Sequence, residues 1–566
     1  MKSITRRGFL IAGAGGLTQL LQAKSKKKSS KQLSKKRRLL FNWDGSIIHC
    51  WGRQALPHSY GPLTREQFSS LVFTPIENTG VDTVFFSFGS GNVAEYQSNV
   101  LEWPGEADRF EFPESKTWHG GVEVDPKDQY LNPKGLSDAG YNPPSLIVEE
   151  CHKRGLEAFV SLRMNDIHDG QHPKGTLPNP ELPSFKRINP DWLVDDLDWW
   201  SVLDYAHPRV RALKLKVVEE FFDRWDFDGI ELDWLRHSLY FHRGTEKEKG
   251  KYLTEFMQTV RSSLQKKAAK RGRPIEIAVR IPERIEWCHA GGFEIDQWVK
   301  EDLIDMLILG QGLTELPTLN EFRALMQDRQ LPIYPSLYCY GNSYAISPDE
   351  VIRGSAANLW NDGADGLYTF NWFLYGKWRK HLLHEIADPK RMQRKDKHYT
   401  LVQRFEASPR QPGADFVRYN TASKNAPVPL NLTVADGPNV LHIPVADDFK
   451  HSRPKSAELW LALDYSQPGD RLAFSMSGTP LNPAEVDPES SWVTLGREIS
   501  PLPGNGMIGF PANQSYDMRF QGLRLKVPVT SLKPGRNALS IQLLKRGSGS
   551  AKPLRLRRVE LITRVS

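Results

Sequence analysis

The sequence predicts an α/β protein: a (β/α)8 barrel followed by an all-β sandwich. Three observations predict it. Eight short apolar runs alternate with helical segments between Leu39 and Tyr375, a repeat that suits a closed parallel barrel. The fourth run ends in acids, Gly229-Ile-Glu231-Leu-Asp233, where barrels keep their chemistry. Beyond Tyr375 the helical period gives way to short alternating runs separated by Gly, Pro, Asn, Asp and Ser, the pattern of a sandwich.

A chain of 566 residues is too long for one ordinary core, so more than one domain is expected. The net charge of +8 does not indicate a nucleic-acid partner. Residues 1–38 hold twelve Lys or Arg and no acid, and subtracting those twelve from +8 leaves about −4 for the remainder, so the basic balance belongs to the leader. Thr5-Arg6-Arg7-Gly8-Phe9-Leu10 and the Gly/Ala-rich run to Leu21 resemble a twin-arginine export signal, implying a periplasmic or extracellular protein. The domains read as 1–23 signal, 24–38 basic linker, 39–385 barrel and 386–566 sandwich. The linker can also lie against an anionic surface. Cys50, Cys151, Cys288 and Cys339 are scattered and form no disulfide or zinc pattern.

The strands are expected at Leu39–Trp43, Thr83–Phe88, Glu157–Leu162, Gly229–Asp233, Glu276–Ile281, Asp305–Leu309, Ile333–Leu337 and Gly366–Phe370. Val210, Leu213, Val217, Phe221 and Trp225 mark one connecting helix, and Tyr252, Phe256, Val260 and Leu264 the next. Pro348-Asp349-Glu350 opens a later one. No Gly-rich dinucleotide fingerprint follows the first strand. The connection from Gly89 to Pro143 is long and rich in Trp, Glu, Asp, Gly and Pro; such loops usually serve function. Trp103, Trp118 and His119 are its candidate contacts. In the sandwich, Leu532-Lys-Pro-Gly-Arg-Asn537 looks like the penultimate corner of modules attached to glycosidases.

Alternation puts Glu231 and Asp233 on one face of the fourth strand, the barrel interior. The expectation is that they project into an open bowl and perturb each other, one being pushed towards the neutral form. A buried acid pairing with an Arg of a neighbouring strand is the structural alternative. Arg280-Ile-Pro-Glu283 ends the fifth strand and makes Glu283 the expected partner, with Glu231 and Asp169 as the others weighed. Rim candidates follow each strand: Asp44 and Trp51; Arg163, Asn165, Asp166 and His168; Arg236 and His237; Gln311; Tyr338; Asn371 and Trp372.

Asp204, Pro208, Val210, Arg211, Asp226, Asp228, Gly229, Ile230, Asp233, Trp234 and Arg236 resemble the signature of the family-10-like glycosyl hydrolases, D-P-x-x-P-x-V-R followed by Y-D-V-D-G-I-H-x-D-Y-I-R. The resemblance covers roughly 39–375 and departs at Glu231, where the family commonly has His. It implies an exported glycoside hydrolase acting on a polysaccharide or oligosaccharide through two carboxyl groups. Asp233 would be nucleophile or base, Glu283 the acid, and no cofactor or metal would be needed. A weaker resemblance to chitinase-type barrels fails at Leu235, where that pattern carries its acid. Two alternatives stand: a glycan-binding barrel without chemistry, and a metal-dependent polysaccharide-modifying hydrolase built on Asn165, Asp166, His168, Asp169 and His172.

Overall fold

The computed structural model describes residues 39–46, 63–106, 117–119, 122–124, 127–170, 179–195, 200–310, 319–326, 329–338, 347–370, 372, 379–401, 427–449, 451–486, 492–493 and 520–565. The leader and linker, Trp51, His172, Gln311 and Asn371 lie outside them. Eight parallel strands close into a barrel: β1 (Leu39–Asp44), β2 (Thr83–Ser87), β3 (Glu157–Arg163), β4 (Gly229–Asp233), β5 (Glu276–Ile281), β6 (Met306–Leu309), β7 (Ile333–Tyr338) and β8 (Leu367–Phe370). Each pairs with the next, and β8 closes on β1 through Leu40 opposite Tyr368.

All eight predicted strands are present, with ends shifted by one residue at most. Three run further than their apolar pattern, to Asp44, Arg163 and Tyr338. The neighbouring strand still offers a partner there, pairing Asp44 with Ser87, Arg163 with Asp233 and Tyr338 with Phe370. The ladder therefore carries polar side chains up to the rim.

Inside the barrel Leu40, Phe85, Phe159, Ala278, Met306, Ile308, Tyr334, Tyr368 and Phe370 form an apolar cluster, the layered filling expected of this fold. Outside, the helix Pro208–Arg224 starts with Pro at its first position and the His207 side chain accepting from Arg209 N–H at 3.3 Å. Its buried face is Val210, Val217, Val218 and Phe221, with Lys214 among them. The helix Lys251–Arg271 buries Leu253, Phe256, Met257, Val260 and Leu264 and ends at Gly272 with φ +77°. Among the described residues no helix is long and apolar enough to cross a membrane.

The sandwich sheets are antiparallel. One runs Lys397–Thr400, Leu554–Arg564, Ser456–Asp464, Phe520–Val527, Trp492–Val493, and the other Asn439–Val445, Gly535–Lys545, Asp470–Met476, Thr479–Val486. Leu459, Leu461, Leu463, Ile541 and Leu561 share its core. The corner before Gly535–Lys545 is tied by Asn537, which accepts from Lys533 N–H at 2.9 Å and donates to the Lys533 and Gly535 carbonyls at 2.8 and 3.0 Å.

Sandwich and barrel meet at the helix Asp349–Asn361. Asn358 Nδ2 donates to the Pro444 carbonyl at 3.2 Å, and a Cβ on Gly354 would lie 2.2 Å from the His398 carbonyl oxygen. Backbone cannot yield there as a flexible side chain would. Gly354→Ala should lower stability by about 1–3 kcal/mol, measured as a lower thermal midpoint; an unchanged midpoint would mean the two domains do not depend on this contact.

Candidate active site

β4 places Glu231 and Asp233 on the same interior face, about 6–7 Å apart along the strand. Asp233 is 3% exposed. Its Oδ2 accepts from Arg280 Nη2 at 2.7 Å, and its Oδ1 accepts from the Leu235 and Arg236 amides at 3.0 and 3.1 Å. Arg280 comes from β5 directly opposite, is fully buried, and lays its guanidinium 4.0 Å from the centre of the Phe370 ring. Thus Asp233 does not stand bare in a bowl. A buried arginine would be costly unpaired, and the adjacent acid neutralises it; deleting one partner of such a pair typically costs about 3–5 kcal/mol.

Glu231 lies one layer deeper and is fully buried. Its Oε2 accepts from Ser161 Oγ, which in turn accepts from Asn42 Nδ2 at 3.3 Å. The Tyr368 hydroxyl stands beside it. Burial and then the Asp233 charge push the Glu231 carboxyl up to about 7, against Arg280 and Ser161. The expected perturbation by a neighbouring acid is present at Glu231. Arg280 supplies one positive charge near both, and its hydrogen bond goes to Asp233.

At the rim, Arg163 bridges β1 and the β3 loop: Nη2 to Asp44 Oδ2 at 2.6 Å, and Nη1 to Asp166 Oδ2 at 3.2 Å. Asp166 Oδ1 accepts from His168 N–H at 2.8 Å and pairs with the His168 ring. Arg236 Nη2 reaches His168 Nε2 at 3.4 Å, and the His237 ring stands 5.7 Å from that of His168. Burial alone would raise both Asp44 and Asp166. Arg163 with Arg236 and His168 holds Asp44 below the usual carboxylate range, and His168 with Arg163 holds Asp166 well below it. Burial depresses His237 well below the ordinary imidazole value.

The structure therefore brings Asp44, Arg163, Asp166, His168, Arg236 and His237 into one network beside Asp233. The remaining candidates have separate settings. Asn165 spends its amide on backbone, donating to Leu203 and Leu239 carbonyls at 3.0 and 2.7 Å and accepting from Leu203 N–H at 3.0 Å, so it braces loops and has no group left for a ligand. Asp169 is buried against Lys186, which removes it as a free acid. Glu283 follows β5, with its carboxyl packed against Gly310 at the end of β6. Trp372 is buried. Tyr338 closes β7. Trp103 has Lys134 Nζ 5.9 Å from its ring centre, and Trp118 and His119 lie on a two-stranded ribbon. Among the described residues no cluster of three or more His, Cys, Asp or Glu is arranged to hold a metal.

Sequence reasoning misses the supports. Lys214 Nζ donates to the Gly91 carbonyl at 2.7 Å and the Arg163 carbonyl at 3.4 Å, fastening the β2 loop to the end of β3. Burial, with Lys186 nearby, lowers its ammonium to about 7. Gly91, at φ +74°, lies where a Cβ would come within 2.4 Å of the Arg163 carbonyl oxygen. Glu95 and Glu181, from the β2 and β3 loops, also reach this rim. The signal in the sequence was the acid-rich loop itself; nothing in it singled out these two positions.

No family model matches the chain. Residues of this chain are 25% identical over 166 positions to the glycosyl hydrolase DigH of Escherichia coli K12, and the same values hold for the Shigella flexneri protein of that name; the match covers 28% of this chain. The chain thus spans about a third of the length of the curated relatives it matches, 31%. Among solved structures it is similar to the PgaB (BpsB) glycoside hydrolase domain from Bordetella bronchiseptica, at 12% identity and TM-score 0.37 over 62% of this chain and 99% of that one. It is also similar to a family GH18 chitinase from Chromobacterium violaceum, at 11% identity and TM-score 0.34 over 92% and 91% of the two chains. The barrel assignment rests on its own strand pairing.

Protonated Glu231 stabilises the fold below its ordinary value of about 4.5, and that contribution is lost as pH rises through about 7. An amide titrates nowhere in this window. Glu231→Gln should therefore gain stability relative to the parent protein between pH 5 and 8, read from thermal midpoints of both proteins across that range. A constant difference would show that Glu231 does not titrate there.

Proposed function

We propose that the protein is a glycoside hydrolase of the family-10-like barrel type, exported by its twin-arginine leader to the periplasm or beyond, and acting on a polysaccharide or oligosaccharide. One observation carries the reading: Asp233 sits at the carboxyl end of β4 in a shell made only of donors, Arg280 and two loop amides. A donor shell suits a carboxylate anion, the form needed either to attack an anomeric carbon or to activate water. The relative named a glycosyl hydrolase supports the same class.

In this reading Glu283 holds the proton for the leaving oxygen, since Asp169 is neutralised by Lys186 and Glu231 lies a layer beneath the rim. Asp44, Arg163, Asp166, His168, Arg236 and His237 are the groups that would meet sugar hydroxyls. The basic linker 24–38 would give peripheral contact with an anionic surface, and no nucleic acid takes part. A second reading, a glycan-binding barrel without chemistry, is favoured by the pairing of Asp233 with Arg280 and its 3% exposure.

Asp233→Asn keeps an acceptor for Arg280 and should cut reducing-sugar release from a panel of polysaccharides by at least about 100-fold, while Glu283→Gln should cut it by roughly 100- to 10,000-fold. Glycan binding with no sugar release from the unmodified protein would select the second reading.

A further inference from the structure

Four acids at the rim have a cation. Asp44 and Asp166 share Arg163, Asp169 has Lys186, and Asp233 has Arg280. Glu95 and Glu181 differ: among the described residues their hydrogen-bond donors are all neutral. Glu95 is 2% exposed, and its Oε1 accepts from Ser46 Oγ at 2.7 Å and Gln129 Nε2 at 3.0 Å. Its Oε2 is buried and, among the described residues, has no hydrogen-bond partner. Glu181 Oε1 accepts from the same Gln129 Nε2 at 3.3 Å and from the Tyr130 hydroxyl at 3.3 Å.

The Gln129 amide thus joins two carboxyls, and among the described residues no fixed positive charge is bonded to either. Burial, then the Glu181 and Asp44 charges, push Glu95 up to about 8; burial also raises Glu181, with Asp166 and Asp169 adding to it while His168 and Arg163 oppose. Glu181, Gln129 and Tyr130 are half-buried, whereas Glu95 is buried, so the group has an acidic floor and a side that meets solvent. Ser46 ties it to the end of β1, two residues beyond Asp44. A buried acceptor oxygen without a donor costs free energy until something donates to it. A cationic donor from a ligand would also supply the missing countercharge.

Resting on the glycoside-hydrolase reading, we propose that Glu95 and Glu181 form a subsite for the protonated amine of an amino sugar, so that the substrate class is a glycan bearing free amino groups. An N-acetylated sugar offers a neutral amide there, which supplies no countercharge. A neutral sugar offers only hydroxyls.

The test is calorimetric titration at pH 7 of the full chain carrying Glu283→Gln, which leaves the Asp233–Arg280 pair intact and limits turnover. The ligands are a glucosamine hexamer and an N-acetylglucosamine hexamer. The amine-bearing hexamer should bind at least about ten-fold more tightly, and adding Glu95→Gln with Glu181→Gln should abolish that preference. If the double variant does not fold, Glu181→Gln alone, at the half-exposed position, should reduce the preference. Equal affinity for the two hexamers, binding of neither, or a preference that survives the substitutions would overturn the subsite. If the preference holds while the unmodified protein releases sugar from no glycan, the subsite stands and the hydrolase reading falls.

Discussion

The pairing of Arg280 with Asp233 is the constraint around which the upper barrel is built. A closed barrel keeps bulk water out of its interior, so a charge placed there must be answered from inside. Arg280 is fully buried and answered by Asp233 on one side and the Phe370 ring on the other. That single cation cannot also hold Glu231 ionised. Glu231 therefore turns to the Ser161 hydroxyl and shifts towards its neutral form. Beneath it the filling becomes apolar, from Phe85 and Phe159 to Met306 and Ile308. The barrel thus grades from packed hydrocarbon through one polar layer to a charged rim.

The rim holds its geometry because its loops are tethered by groups that have no other task. Lys214 reaches up from a surrounding helix to two carbonyls at the ends of the β2 loop and β3. Asn165 fastens the chain at Leu203 and Leu239. With backbone held this way, Arg163 can bridge Asp44 and Asp166 without the side chains having to find one another anew. A preorganised charge network on rigid strand ends is what sugar recognition and acid–base chemistry both need. Among the described residues Glu95 and Glu181, which have no cationic donor, stand out against it for that reason.

Much of this was legible along the chain. Alternation alone assigned Glu231 and Asp233 to one interior face, and the same alternation carries Arg280 to the level of Asp233 once β4 and β5 pair. The rim residues Asp44, Arg163, Asp166 and His168 were visible because each follows an apolar run directly. Glu95 and Glu181 were not visible, because loops have no period that tells which way a side chain points. Asn165 and Asp169 carry the same types of group as the true network members, and only their neighbours, two backbone carbonyls and Lys186, distinguish them.

By itself the sequence determined the eight βα units, the sandwich strands after them and the clustering of acids at the end of β4. Those features follow from local periodicity and from the rule that apolar faces must be covered. The tertiary structure alone decided which carboxyls have a cation and which are pushed towards the neutral form. Burial and countercharge depend on side chains tens or hundreds of residues away in the chain, brought within 3 Å only when the barrel closes.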